Sequence, residues 1–196
     1  MLPPYKNARS PKISQSVLSS LSAREPRLTA RAMQKETLEA TAWHEAGHAV
    51  VGARLGMKLY KVEIPVRFMT YSCGEVRIST GYTTYVVNGL ADQFGTEGAN
   101  RARAVFAAAG IAAELARGNR STMEIQDDSD GIRRYARALG IEDHPSNREL
   151  AVFFADAVNE ATGLLLQDGG KAWVRVRTAL KQRLELSHEK VLELMS

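Results

Sequence analysis

Apolar residues at Leu38, Ala42, Ala46, Ala49, Val50 and Ala53 recur near the helical period, which predicts an amphipathic helix from about Ala30 to Leu55. Gly56 is placed to end it in a left-handed cap. Small residues along that helix, Ala46, Gly47, Ala49, Gly52 and Ala53, would let a neighbouring element approach closely. Two stretches then alternate polar and apolar residues, Leu59 to Val66 and Cys73 to Thr80, and read as strands. Thr83 to Val87 reads as a further short strand before an Asn88-Gly89 turn. The helical period returns from Gly98 to Leu115, with Ala102, Val105, Phe106, Ala109, Ala112, Ala113 and Leu115 inward and Gly118-Asn119 at its end. Ser121 to Asp130 reads as an acid-rich loop, followed by a helix through Ile132, Tyr135, Ala136 and Leu139. Ser146 or Asn147 can cap a helix from Arg148 to about Gln167. Asp168-Gly169-Gly170 breaks it, a helix runs from Lys171 to about Leu186, and Ser187 caps a last one to Met195. The pattern is mainly α, of the α+β class, with a small sheet beside the first helix and a helical C-terminal part.

Composition divides the chain in two. Residues 1–29 carry Pro3, Pro4, Pro11 and Pro26, which block regular structure, and offer only Ile13 to Leu21 as a short helix. Up to residue 35, seven basic side chains face the lone acid Glu25, so this part holds +6 of a chain whose net charge is +4, and the remainder is −2. A basic N-terminal arm is expected over 1–29 and one folded domain over 30–196. The arm has the chemistry to dock on an acidic partner or on nucleic acid. The longest apolar runs, such as Ala104 to Ile111, are far too short to span a bilayer, and the N-terminus lacks the apolar core of a signal peptide. Cys73 is the single cysteine, allows no internal disulfide and is read as structural. A soluble cytoplasmic protein without membrane contact is expected.

The chemistry sits on the first helix, in His44-Glu45-Ala46-Gly47-His48. H-E-x-x-H on a helix sets two imidazoles one turn apart on one face, where both can bind one Zn²⁺. The intervening Glu45 then lies beside the metal, placed to take a proton from activated water and pass it to a leaving amine. A catalytic zinc needs a third protein ligand. No histidine follows His48 at the spacing of an extended H-E-x-x-H motif, so a carboxylate must serve, and Asp127, Asp128 and Asp130 are the densest supply.

The segment Trp43-His44-Glu45-Ala46-Gly47-His48-Ala49-Val50-Val51-Gly52 resembles the metal helix of the peptidase domain of the FtsH family of AAA+ zinc proteases. Lys61-Val62-Glu63-Ile64 resembles the strand after the metal helix in that family, and Ala109-Gly110-Ile111-Ala112-Ala113-Glu114-Leu115 its G-x-A-A-E helix. The resemblance covers roughly residues 35 to 195. It implies a helical zincin-like peptidase domain, with a small sheet beside the metal helix and a C-terminal helical bundle carrying Ala161, Leu165, Val174, Leu180 and Leu184 on apolar faces. It also implies an aspartate as third ligand at the opening of the helix after G-x-A-A-E. Aligning Tyr135-Ala136-Arg137 with the family's apolar-Ala-Arg puts that ligand at Asp128, then Asp130, then Asp127 in order of preference. Glu114 is a candidate to orient a ligand histidine.

Motif and resemblance together imply a zinc metalloendopeptidase with His44, His48 and Asp128 on the metal and Glu45 as base. It would act on polypeptide held along an edge strand, either Lys61–Ile64 or Glu75–Ile78. The sequence contains no G-x-x-x-x-G-K-[ST] and no transmembrane stretch, so the resemblance is to a stand-alone peptidase, itself independent of ATP. Substrates are then unfolded or flexible segments, or one particular protein target, unless a separate ATPase is recruited. A homo-oligomer is a further expectation by resemblance. Two rivals remain at this point: an idle peptidase fold kept as an adaptor or oligomerisation module, and a protease directed by its basic arm to a DNA-bound regulator. The intact Glu45 opposes the first, because a structural zinc site has no use for a base.

Overall fold

The computed structural model describes residues 30–64, 66–71, 74–79, 82–85, 90–118 and 124–196. The arm over 1–29, Cys73 and the Asn88-Gly89 turn lie outside the described residues. The fold is mainly helical, with a small antiparallel sheet. Its centre is α1 (Ala30–Arg54), whose Ala42, Ala46, Ala49, Val50 and Val51 are fully buried. Gly56, at φ +73°, closes this helix: its N–H donates to Ala53 and that of Met57 to Gly52, the paired bonds of a glycine C-cap.

Strand β1 (Leu59–Glu63) comes next, then the hairpin of β2 (Val66–Tyr71) and β3 (Gly74–Ser79), then β4 (Tyr82–Tyr85). β1 pairs antiparallel with β4, Val62 opposite Thr83, and on its other side with a short β5 (Glu185–Leu186). The order β4-β1-β5 therefore makes β1 central and β4 an edge. Of the two candidate edge strands, Lys61–Ile64 is flanked on both sides and is excluded from holding a substrate backbone. Four departures from the expected strand pattern appear. The strand expected to reach Val66 ends at Glu63, with Pro65 unable to give a ladder hydrogen bond. β2 was not expected, because Val66–Tyr71 lacks a clean polar–apolar alternation. The short strand expected over Thr83 to Val87 begins one residue earlier, at Tyr82, and is described only to Tyr85. The helix expected to reach Leu186 stops at Arg183, where Leu184 takes φ 61° and turns the chain into β5 beside β1.

Helix α2 (Leu90–Ala107) begins eight residues before the expected Gly98 and accommodates Gly95 in a non-helical conformation. It does not run through to Leu115. The chain breaks at Ala108 and restarts as α3 (Ala109–Ala116), which turns Glu114 into the core and leaves Leu115 49% exposed. Helix α4 (Glu124–Ala138) starts inside the stretch expected to be a loop, since carboxylates near a helix N-terminus favour the helix through its dipole. Asn147 and Ser187 do cap α5 (Arg148–Leu165) and α7 (His188–Met195), accepting from the N–H groups of Glu149 and Lys190.

Two contacts fix the neighbours of α1. On one side α3 comes so close that a Cβ on Gly47 would sit 2.8 Å from the Ala113 Cβ and 2.9 Å from the Ala109 carbonyl oxygen. On the other, α6 (Lys171–Arg183) sets Trp173 edge-on to Trp43 at 4.5 Å, and the Trp173 indole N–H donates to the Trp43 carbonyl at 3.0 Å. Val174, expected on an apolar inward face of α6, is 47% exposed, because Trp173 and Val176 take that face. At the far end of α1, Arg54 meets Asp168 at 3.1 Å, which ties the metal-motif helix to the turn before α6.

Candidate metal centre

His44 and His48 are one helical turn apart on α1, and their ring nitrogens Nε2 face each other at 3.2 Å. Both side chains are buried, at 3% and 6% exposure, rather than lying on a solvated flank. Each has its other nitrogen engaged. The Nδ1 of His48 is 2.9 Å from the Phe106 carbonyl oxygen, which can only accept, so Nδ1 carries a proton and Nε2 is the nitrogen turned to His44 and Asp128. The Nδ1 of His44 is 3.2 Å from Glu114 Oε1, an arrangement with the same consequence. The break at Ala108 sits between these two supports: the last turn of α2 offers the Phe106 carbonyl, and α3 brings Glu114 inward.

Asp128 enters from α4. Its carboxylate lies 3.2 Å from His48 Nε2 and 3.4 Å from His44 Nε2, and its buried Oδ2 has no hydrogen-bond partner among the described residues. Ile132, Tyr135 and Ala136 continue the stripe of α4 that Asp128 begins, at i+4, i+7 and i+8, so that residue faces inward. Asp127 and Asp130 are both exposed; Asp127 lines the cleft beside Asp128, Asp130 does not, and neither joins the group that His44, His48 and Asp128 form.

One ligand atom each from His44, His48 and Asp128 lie within 4.8 Å of one another, so the group could hold a metal ion. The two Nε2 atoms are 3.2 Å apart, near the roughly 3.3–3.4 Å that bonds of about 2.0–2.1 Å set between neighbouring ligands of a tetrahedral ion, and Asp128 turns a different oxygen to each ring, Oδ1 to His48 and Oδ2 to His44. Gly110 completes the cradle. A Cβ there would fall 2.2 Å from His44 Cε1 and 2.5 Å from Asp128 Oδ2, in the space between these side chains.

The electrostatics call for a cation. Burial alone would lower the pKa of His48, but the charge of Asp128 and its hydrogen bond outweigh that and push it up to about 9. Burial opposes protonation of His44 too, yet the Glu114 hydrogen bond, with Asp128 and Glu45 behind it, raises its pKa. Glu45 lies against this group. Burial pushes its carboxyl above the usual carboxylate range, against the pull of His48 and His44, and Thr83 Oγ1 on β4 donates to its Oε2 at 2.7 Å. A cleft opens onto the group, lined by Glu45, both histidines, Asp128, Thr83, Tyr85, Phe106, Gly131 and Tyr135.

The structure thus brings together His44, Glu45, His48, Glu114 and Asp128, and leaves Asp130 apart. Three parts of the site are not evident in the sequence: Thr83, the Phe106 carbonyl and the role of Gly110. The first two carry no local signal, since both depend on how distant segments pack. Gly110 stands in the G-x-A-A-E segment and was visible there only as part of a resemblance. Among the described residues no helix is long and apolar enough to cross a membrane. No protein-family model matches the chain, and no curated protein matches it.

Proposed function

We propose that this chain is a zinc-dependent endopeptidase of the FtsH peptidase type, hydrolysing peptide bonds in unfolded or flexible polypeptide. The observation that carries the reading is Glu45: a buried carboxylate, held by Thr83, beside a two-imidazole, one-carboxylate group that could hold a metal ion. A site that only braced a fold would gain nothing from a desolvated acid left next to its ligands.

His44, His48 and Asp128 would hold the zinc, which would supply Lewis acidity to the scissile carbonyl and to water. Glu45 takes the proton from water as the water oxygen bonds to the carbonyl carbon. It returns that proton to the nitrogen as the C–N bond breaks, so water is the only co-reactant. Thr83 fixes which carboxylate oxygen faces the cleft. The Phe106 carbonyl and Glu114 hold the two imidazoles with Nε2 inward.

An extended substrate can lie along β4, whose Thr83 and Tyr85 line the cleft and which pairs only with β1 among the described residues. Main-chain pairing of that kind reads little sequence, which favours broad tolerance. The 196 residues contain no phosphate-binding G-x-x-x-x-G-K-[ST], so they supply no ATP-driven unfolding, and unfolded polypeptide is the substrate class that reaches the site. The test is metal analysis of the purified chain together with cleavage of an unfolded protein such as casein. About one zinc per chain, with cleavage lost on chelation and restored by zinc, is expected. Zinc-loaded protein that cleaves no peptide would leave the site as a structural one.

A further inference from the structure

Two tyrosines meet across the mouth of this cleft, and neither belongs to the metal motif. Tyr85, on β4, and Tyr135, on α4, bring their hydroxyl oxygens within 3.2 Å of each other. Tyr85 lies two residues beyond Thr83, so both side chains fall on the face of β4 turned to the site. Its ring packs edge-on against Phe106 at 4.6 Å, and Phe106 in turn lies 5.1 Å from the His48 ring. Tyr135 stands seven residues after Asp128, two turns along the same face of α4. Helical side chains lean toward the N-terminus, so Tyr135 leans back toward Asp128 over Gly131, which has no side chain to obstruct it.

Two hydroxyls carry two protons, and the bond between them uses one. Neither hydroxyl has another hydrogen-bond partner among the described residues, so one O–H proton remains for whatever enters the cleft. Resting on the peptidase reading above, we propose that Tyr135 donates this proton's hydrogen bond to the scissile carbonyl oxygen as that oxygen gains negative charge, with Tyr85 positioning it. The direction comes from packing. Either hydroxyl can donate within the pair, and Tyr85, whose ring is held edge-on against Phe106, is assigned as the donor to Tyr135. Tyr135 is then left with its own proton facing the substrate channel. A donor set where charge develops acts on the transition state more than on the bound peptide, so its loss falls on kcat rather than on KM.

The experiment pairs kinetics with binding of a charge mimic. Tyr135→Phe is expected to lower kcat about 100-fold while KM stays within about threefold and zinc content is unchanged. Tyr85→Phe, which frees Tyr135 to turn, is expected to cost less, about tenfold. A phosphinic peptide, whose anionic oxygens imitate the charged carbonyl oxygen, should bind Tyr135→Phe about 100-fold more weakly than wild type. The corresponding amide peptide, measured on Glu45→Gln protein with and without Tyr135→Phe so that it is not cleaved, should bind both alike. Retention of kcat within about threefold in Tyr135→Phe, or equal losses for the phosphinic and amide peptides, overturns the role of Tyr135 while leaving the peptidase reading intact. Wild-type protein that neither cleaves peptide nor prefers the phosphinic ligand overturns both.

Discussion

Replacing Gly110 by alanine sets helix propensity against site geometry. In a helix such as α3, alanine is ordinarily better than glycine by about 0.5–1 kcal/mol. Here the added Cβ would lie 2.2 Å from His44 Cε1, 2.3 Å from His44 Nε2 and 2.5 Å from Asp128 Oδ2, where ordinary contact begins at 3.4 Å. The imidazole must therefore retreat by about 1 Å, and metal bonds tolerate only about 0.2 Å. Relief by moving α3 would open the contact that Gly47 makes with Ala109 and Ala113, so the strain falls on the ligands. A loss of about 100-fold in zinc affinity is expected, the upper end of what mis-oriented ligands cost. Since a ligand stabilises in proportion to the logarithm of its affinity, saturating zinc should then protect the variant by about 2.7 kcal/mol less than it protects wild type. The assay is a chelator competition for zinc alongside urea denaturation of apo and zinc-loaded proteins. Gly110→Ala protein that binds zinc as tightly as wild type and gains the same stability from it would refute the reasoning that this glycine shapes the site.

Other parts of the structure give two more predictions. Asp128→Ala should lose zinc by about 100-fold or more in affinity, while the exposed Asp130→Ala keeps it; the reverse order in a metal titration would move the third ligand. Asp168→Ala should cost about 2 kcal/mol at pH 7, because Asp168 accepts from the Ala172 N–H at 2.7 Å and faces Arg54, whose side chain is only 11% exposed. Burial alone would raise the Asp168 pKa, but the Ala172 N–H and Arg54 hold it below the usual value. A depressed folded-state pKa gives stabilisation that is present above the unfolded value, about 3.9, and lost as pH falls through the folded one. The gap between wild type and variant should therefore narrow below about pH 4, and a gap as wide at pH 3 as at pH 7 would count against this account.

The metal-motif helix was legible because its signals are local: period, cap glycine and H-E-x-x-H all lie within Ala30–Gly56. Asp128 needed a resemblance to be singled out from Asp127 and Asp130, and its inward direction is a property of where α4 starts. That start was hidden, since Ser121 to Asp130 is polar and only the helix dipole favours its second half as helix. The break at Ala108 was hidden too. Ala104 to Ile111 is continuously apolar, so periodicity cannot show a change of phase inside it, and Leu115 was placed inward where Glu114 lies. β5 escaped notice because two residues paired to a distant strand carry no pattern of their own. Thr83 illustrates the limit most plainly: its bond to Glu45 joins residues 38 positions apart and exists only because β4 lies at the edge of the sheet beside α1.

If Glu45 moves protons beside a metal held by His44, His48 and Asp128, Glu45→Gln separates metal binding from catalysis. Glutamine keeps the size and the ability to accept from Thr83 but cannot act as a base. Zinc content and cleavage of an unfolded protein should be measured on wild type and variant in parallel. One zinc per chain is expected in both, with cleavage reduced at least about 1000-fold in the variant. Cleavage at the wild-type rate by zinc-loaded Glu45→Gln protein would contradict that role for Glu45.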